Sequence, residues 1–282
     1  MDNLIILFVL FAAFLHAFWN FILRGSNNKN LTMTAVVLGH LPLSIIGLVI
    51  FGLPNFESLN FIIFSAILHF CYQIVLLNAY KYGELSQVYP VARGLSPLLI
   101  VVVTSIFISE KLSNIELVGI LSISISLILY GIKISFVSKI NLKGFFFAII
   151  TGCFIASYSL VDGYGARITQ NPIGFYSSLT ILNALLYLLF SIFFQKGIIE
   201  QIFTNGKKYF WIGGTASFVA YALVVWSCVY LPIAIVSALR ETSIIFAIIL
   251  SAIFLKERLD LLKILIIAAI LFGIIFLKIS ML

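Results

Sequence analysis

Arg93-Gly94-Leu95-Ser96 has a counterpart 147 residues later (93 to 240) in Arg240-Glu241-Thr242-Ser243. The same shift lays Ile106-Phe107-Ile108-Ser109-Glu110-Lys111-Leu112 on Ile253-Phe254-Leu255-Lys256-Glu257-Arg258-Leu259. Apolar sequence of low complexity produces chance matches. Here, however, two arginines inside apolar runs and an E-[KR]-L connection fall into one register, which marks an internal duplication. What surrounds these two stretches decides the fold.

Of the 282 residues, 62% are hydrophobic and 10% charged, and the mean hydropathy is +1.19, so water is not the main solvent of this chain. A helix crosses a ~30 Å hydrocarbon core with about 20 apolar residues. Breaks at clustered Gly, Pro, Asn and charges predict spans near 4–23, 33–52, 59–80, 86–108 and 114–133, then near 143–162, 174–194, 209–230, 233–255 and 261–280. The runs are too long, and alternate too little, for barrel strands. The expected fold is an all-α integral membrane protein of ten transmembrane helices, with residues 1–138 as one five-helix repeat and 139–282 as the other. Five is odd, so the second copy enters the bilayer from the opposite face. Two inverted repeats result, the plan on which many secondary transporters build a midplane site.

The net charge of +7 is scattered singly or in pairs between apolar runs, without a basic stripe or an aromatic platform. That pattern fits membrane anchoring and excludes nucleic acid as a partner. Cys71, Cys153 and Cys228 lie inside apolar runs without metal-ligand spacing, so they read as packing residues. HExxH, GxSxG and a pair of acidic metal ligands are absent, so no catalytic residue, metal or other cofactor is expected. Met1-Asp2-Asn3 precedes the first run without a basic segment or a cleavage site, which predicts a retained first span.

An ionisable side chain in hydrocarbon costs from ~3 to more than ~10 kcal/mol, so such a residue is a site candidate by default. Arg93 and Arg240 each lie seven residues inside their predicted spans (86 to 93, 233 to 240), roughly 10 Å deep at about 1.5 Å per residue. In inverted repeats those depths are measured from opposite faces, which leaves the two guanidinium groups flanking the midplane, placed to hold one anionic ligand between them. The competing reading is structural: Glu241 neutralises Arg240, or either arginine bonds carbonyls freed near Pro90, Pro97 or Pro232. Glu241 and Asp162 are candidates for proton coupling, because a carboxyl in the membrane binds and releases a proton when its cation partner comes and goes. Against this stand an Arg–Glu structural pair for Glu241 and an interfacial helix end for Asp162.

Polar and aromatic stripes extend the set. His16, Trp19 and Asn20 share a face of span 1, and His69, Tyr72, Gln73 and Tyr80 form a stripe on span 3. Span 4 adds Tyr89 and Ser96 around Arg93; Tyr158 precedes Asp162 by one turn, and Ser217 precedes Tyr221. Such residues suit an amphiphilic cargo, while Trp19, Tyr80 and Trp226, near span ends, fit an interfacial belt equally well. Glu110 and Glu257, beside Lys111 and Arg258, read as helix-end anchors or inter-repeat salt bridges, and His40 with Pro42 as a kink or an interhelical bond.

Leu15-His16-Ala17-Phe18-Trp19-Asn20, Val88-Tyr89-Pro90-Val91-Ala92-Arg93-Gly94, Arg240-Glu241-Thr242-Ser243 and Leu255-Lys256-Glu257-Arg258-Leu259 together resemble the EamA-type drug/metabolite transporter superfamily, and the resemblance runs over nearly the whole chain. It implies spans 1–4 and 6–9 around a central cavity, spans 5 and 10 outside, and alternating access for a metabolite without nucleotide hydrolysis. The leading expectation is a secondary active transporter of a small amphiphilic, anion-bearing metabolite in the bacterial inner membrane, with lipid around it and the proton as coupling ion. An intramembrane enzyme or flippase acting on a lipid-linked substrate is the alternative; a receptor without flux is a third class. Lys and Arg gather in connections 1–2, 3–4, 5–6, 7–8 and 9–10, with only Lys111, Arg167 and Lys278 opposite. The positive-inside rule thus puts both termini outside, the resemblance puts both in the cytoplasm, and a C-terminal topology reporter separates the two.

Overall fold

The computed structural model describes residues 2–24, 26, 28–83, 85–108, 110–137, 141–254, 256 and 259–280. Ser109, Lys139, Leu255, Glu257 and Arg258 lie outside the described residues. Among the described residues, ten helices are long and apolar enough to cross a bilayer: Asn3–Ile22, Lys29–Phe51, Phe56–Tyr82, Val88–Ile108, Asn114–Phe136, Leu142–Thr169, Pro172–Phe194, Tyr209–Ser227, Ile233–Phe254 and Leu261–Ile279, here spans 1 to 10. No strand occurs among the described residues. The chain is a multi-pass, all-α integral membrane protein.

Most ends fall within a few residues of the sequence expectation; span 6 differs. It continues to Thr169, through Gly163 and Gly165, which read in sequence as breakers. Gly163 is there for close packing: a Cβ on it would sit 2.7 Å from the Ile233 side chain. Asp162 is consequently inside the helix and 1% exposed. The interfacial helix-end reading of Asp162 is therefore corrected.

Local chemistry sets the other ends. Span 5 opens on a capping box, Ser113 N–H donating to Glu116 Oε2 at 2.6 Å and Glu116 N–H to Ser113 Oγ at 3.3 Å. Span 10 opens 147 residues later on Asp260, whose Oδ1 accepts from Lys263 N–H at 2.8 Å. Two spans are broken inside the bilayer. Span 2 consists of Lys29–Leu38 and Leu41–Phe51, separated at Gly39-His40 just before Pro42, where both His40 ring nitrogens are buried without a hydrogen bond and the ring meets Phe218 edge-on at 6.1 Å. Span 9 consists of Ile233–Arg240 and Ser243–Phe254. Its junction is tightened by i to i−3 bonds from Glu241 N to Ala238 O, Thr242 N to Leu239 O and Ile244 N to Glu241 O, each 3.1 Å, which leaves the Arg240 carbonyl without its usual helical donor.

Span 9 is the most enclosed element: 72% of its most apolar stretch is buried, against 22% for span 10. The main core runs along it, with Ile233, Ile235, Leu239 and Ile244 against Ile5 and Val9 of span 1, Ile100 of span 4 and Ile123 of span 5. Packing partners recur in matched pairs. Span 3 packs on span 6 as span 1 packs on span 8; span 4 packs on span 6 as span 1 packs on span 9; and spans 2 and 7, 4 and 9, and 5 and 10 pack on each other. Ser122 of span 5 donates to the Ala269 carbonyl of span 10 at 3.0 Å, a pair again 147 apart in sequence.

Candidate functional site

Span 4 presents Arg93 to the break in span 9. Its side chain is 3% exposed, and Nη2 donates to the Arg240 carbonyl and to Ser243 Oγ, both at 3.2 Å. Its Nε lies 2.7 Å from Glu241 Oε2, off the N–H axis, so the contact is an ion pair without a formed hydrogen bond. The cation that neutralises Glu241 in this conformer thus includes Arg93 from the other half of the chain, where the sequence offered the adjacent Arg240. Tyr89, one turn before, stands under the Arg93 guanidinium at 5.5 Å, and His16 stacks on Tyr89 at 6.4 Å. Trp19 Nε1 donates to His16 Nδ1 at 3.3 Å and Asn20 to the His16 carbonyl at 2.8 Å, so that face of span 1 partly satisfies itself.

Arg240 differs. It is 3% exposed, and its Nε and Nη2 are buried without a hydrogen bond. Tyr221 lies beneath it at 5.6 Å. Beyond Tyr221 a second polar centre is built on Asp162: its carboxylate accepts from Ser65 Oγ, from Tyr221 Oη at 2.7 Å, and meets His69 Nε2 at 2.9 Å. Rings wall this centre, with Tyr158 stacked on His69 at 4.2 Å, Tyr72 edge-on to Tyr158 at 5.3 Å and Tyr176 against Tyr221 at 5.3 Å. Arg240, Asp162, Tyr221, Ser159 and Ser237 enclose a void of ≈ 10 Å³, room for a single water-sized sphere. The void is lined by spans 6, 8 and 9, without a residue of spans 1 to 5.

The site residues thus form a file across the bilayer. Half-buried Trp19, Tyr80 and Tyr89 stand toward the lysine-rich face, then come Arg93 with Glu241, then Arg240, then Asp162. At the opposite face Arg167 closes the file. Its Nη1 donates to Glu110 Oε1 at 2.6 Å, its Nε to the Cys228 carbonyl at 2.7 Å and its Nη2 to the Leu231 carbonyl at 2.9 Å. That latch ties the end of span 4 to span 6 and to the connection between spans 8 and 9. Gln73 is buried with an unbonded Oε1, and Ser96 is fully buried with an unbonded Oγ. Ser217 is half-buried, while Trp226 packs on Phe8 and Tyr230 toward the end of span 8, as a belt residue does.

Ser65 and Tyr176 join these centres without having been singled out in sequence, and Ser243 was noted there only as part of the repeat motif. Ser65 stands one turn before His69 on span 3, a spacing that the stripe reading could have included. No group of three or more His, Cys, Asp or Glu side chains poised for a metal occurs among the described residues.

Residues 142–279 match the model of the EamA-like transporter family. The chain carries an EamA-like transporter domain. The name describes transporters rather than enzymes, and the matched region runs from the start of span 6 to the end of span 10. One solved structure, described only as the crystal structure of a protein, shares the fold with a TM-score of 0.76 at 15% identity, over 98% of this chain and 96% of that one. That likeness is one of fold alone, and it extends over all ten spans, including the five that precede the matched residues. No curated protein matches the sequence.

Proposed function

We propose that this protein is a secondary active transporter, in a bacterial inner membrane, that moves a small amphiphilic metabolite bearing an anionic group by alternating access. The observation that carries the reading is Arg240: a guanidinium 3% exposed, with Nε and Nη2 unbonded, lining a small void among spans 6, 8 and 9. A buried cation with unbonded nitrogens is costly, and a carboxylate, phosphate or phosphonate supplies what it lacks in the matching fork geometry. Tyr221, Tyr158 and Tyr72 offer ring faces for an apolar body, and Asp162 with His69 offers a polar end.

The halves, 1–138 and 139–282, act in this reading as two inverted repeats. Two features support it: helix contacts that map onto one another when five spans are added, and close pairs separated by 147 residues, Arg93 with Arg240 and Ser122 with Ala269. Residues that touch their own repeat mates lie on a two-fold axis. The conformer is occluded, closed by the Arg167–Glu110 latch on one face.

The proton is the coupling ion through Glu241 and Asp162. Glu241 is fully buried and neither carboxylate oxygen has a hydrogen bond; it faces Arg93 from span 4 and its neighbour Arg240, and taking up a proton releases Arg93. Purified protein in liposomes, offered a panel of metabolites with an imposed proton gradient, tests this. Arg240→Ala abolishes flux while the protein stays folded, and Glu241→Gln leaves flux that no longer responds to the gradient. Undiminished, gradient-driven flux by Arg240→Ala would remove Arg240 from the site.

A further inference from the structure

The polar groups that Arg93 uses, and those that Arg240 leaves unused, are the same groups in the two halves. Arg93 gives Nη2 to the Arg240 carbonyl and to Ser243 Oγ. Shifting each partner by 147 residues (240 to 93, 243 to 96) gives the Arg93 carbonyl and Ser96 Oγ. Ser96 is 0% exposed and its Oγ has no hydrogen bond; the Arg240 Nε and Nη2 that would reach it have none either. The Arg93 carbonyl is released by a different device from the one in span 9. Residue 97 should donate its N–H to it, and residue 97 is Pro97, inside the helix. Two groups idle here, and a carbonyl stripped of its helical donor, are the repeat mates of three groups at work, and all sit in the buried centre of the bundle, where idle polar groups are disfavoured.

We infer that Arg93 and Arg240 exchange places as the protein changes face: in the conformer open on the Arg167 side, Arg240 crosses to the Arg93 carbonyl and Ser96 Oγ, while Arg93 lets go of Arg240 and Ser243. The inference rests on the two-repeat reading above and deepens it by assigning Ser96 and Pro97, for which the present conformer gives no partner, a role as the receiving cradle. The exchange keeps one arginine bonded across the axis in either state, so that neither state leaves both cations idle. It is not fully symmetric. The mate of Glu241 is Gly94, where a Cβ would lie 2.8 Å from the Ser124 carbonyl, so a side chain has no room there and the carboxylate stands on one side only. The state drawn here therefore carries an ion pair that its counterpart cannot copy.

The exchange predicts opposite effects from two chemically identical substitutions. In a background with Cys71, Cys153 and Cys228 replaced, a single reporter, Val236→Cys, lines the void on the side closed by the latch. Its maleimide labelling rate in proteoliposomes reads the population open on that face. Ser243→Ala weakens the present conformer and raises the rate about tenfold, the worth of one hydrogen bond to a charged group. Ser96→Ala weakens the other conformer and lowers the rate by a similar factor, and Pro97→Ala, which returns a donor to the Arg93 carbonyl, moves it in the same direction. The double Ser96→Ala, Ser243→Ala variant returns close to the starting rate.

Shifts of the same sign from both serines, or no shift from either, overturn the exchange. Flux measured on the same vesicles separates the two readings. Same-sign shifts with flux retained overturn the exchange and leave the transporter, whereas opposite shifts without flux of any metabolite in the panel keep the exchange and overturn transport.

Discussion

Arg93 and Arg240 look alike in the sequence, each seven residues inside a predicted span and in one register of a repeat, yet the structure treats them differently. Arg93 is engaged on every side that is buried: carbonyl, hydroxyl, carboxylate and ring. Arg240 keeps a ring beneath it and two unbonded nitrogens. The difference separates a charge with its partners in place from one that keeps unbonded nitrogens. Burial alone does not distinguish them, since both are 3% exposed; the carbonyl, hydroxyl and close carboxylate that Arg93 reaches do.

Removing each arginine breaks the comparison most directly. Arg93→Ala leaves Glu241, which is fully buried, without the cation from span 4, and the loss of one partner of a buried pair costs about 3–5 kcal/mol. Equilibrium unfolding in detergent should show that loss, and the double variant Arg93→Ala, Glu241→Ala should recover much of it, because the stranded charge goes too. Arg240→Ala should leave stability within about 1 kcal/mol of the parent, since two of its nitrogens give up no hydrogen bond, while flux disappears. Equal destabilisation by the two single variants would erase the distinction.

The Asp162 centre supplies the next effect in size. Asp162→Ala leaves Ser65 and Tyr221 hydroxyls and the His69 ring without their common acceptor, a loss of about 2 kcal/mol in the same unfolding assay. Asp162→Asn keeps acceptor geometry and most of that stability, but removes the charge, so flux that depends on a proton at this carboxyl loses its pH dependence. A pH profile unchanged by Asp162→Asn would leave Glu241 alone as the coupling group.

Much of the fold was legible because hydropathy over 20 residues is a one-dimensional signal: nine spans fall near their expected positions, and Glu110-Lys111-Leu112 falls between helices. Span 6 was cut short because Gly163 and Gly165 signal a break in sequence but a close helix contact in three dimensions, and only the neighbour, Ile233, reveals which. The residues that gather in the two polar centres were mostly legible too, as charges and aromatics inside apolar runs. Their pairing was not. Arg93 with Glu241, and Asp162 with Ser65, His69 and Tyr221, join spans far apart in the chain, and no local spacing encodes them. One clue was present: the two arginines stand in one sequence register 147 residues apart, each seven residues inside its predicted span.

The latch gives the smallest effect and the finest test of the comparison, since Arg167 is a third arginine with a complete set of partners but near the surface. Its side chain is 28% exposed and that of Glu110 10%, so solvent screens the pair and Glu110→Gln should cost only about 1 kcal/mol. Two carbonyl bonds, to Cys228 and Leu231, survive that change. Arg167→Lys should cost more, although it keeps the charge, because a single ammonium cannot span a carboxylate and two carbonyls that the guanidinium reaches with three separate nitrogens. Both variants should raise the labelling of Val236→Cys from the latch side, Arg167→Lys by the larger factor. If Glu110→Gln opened that face as far as Arg167→Lys does, the closure would rest on the charge pair, and the fan of hydrogen bonds would be incidental.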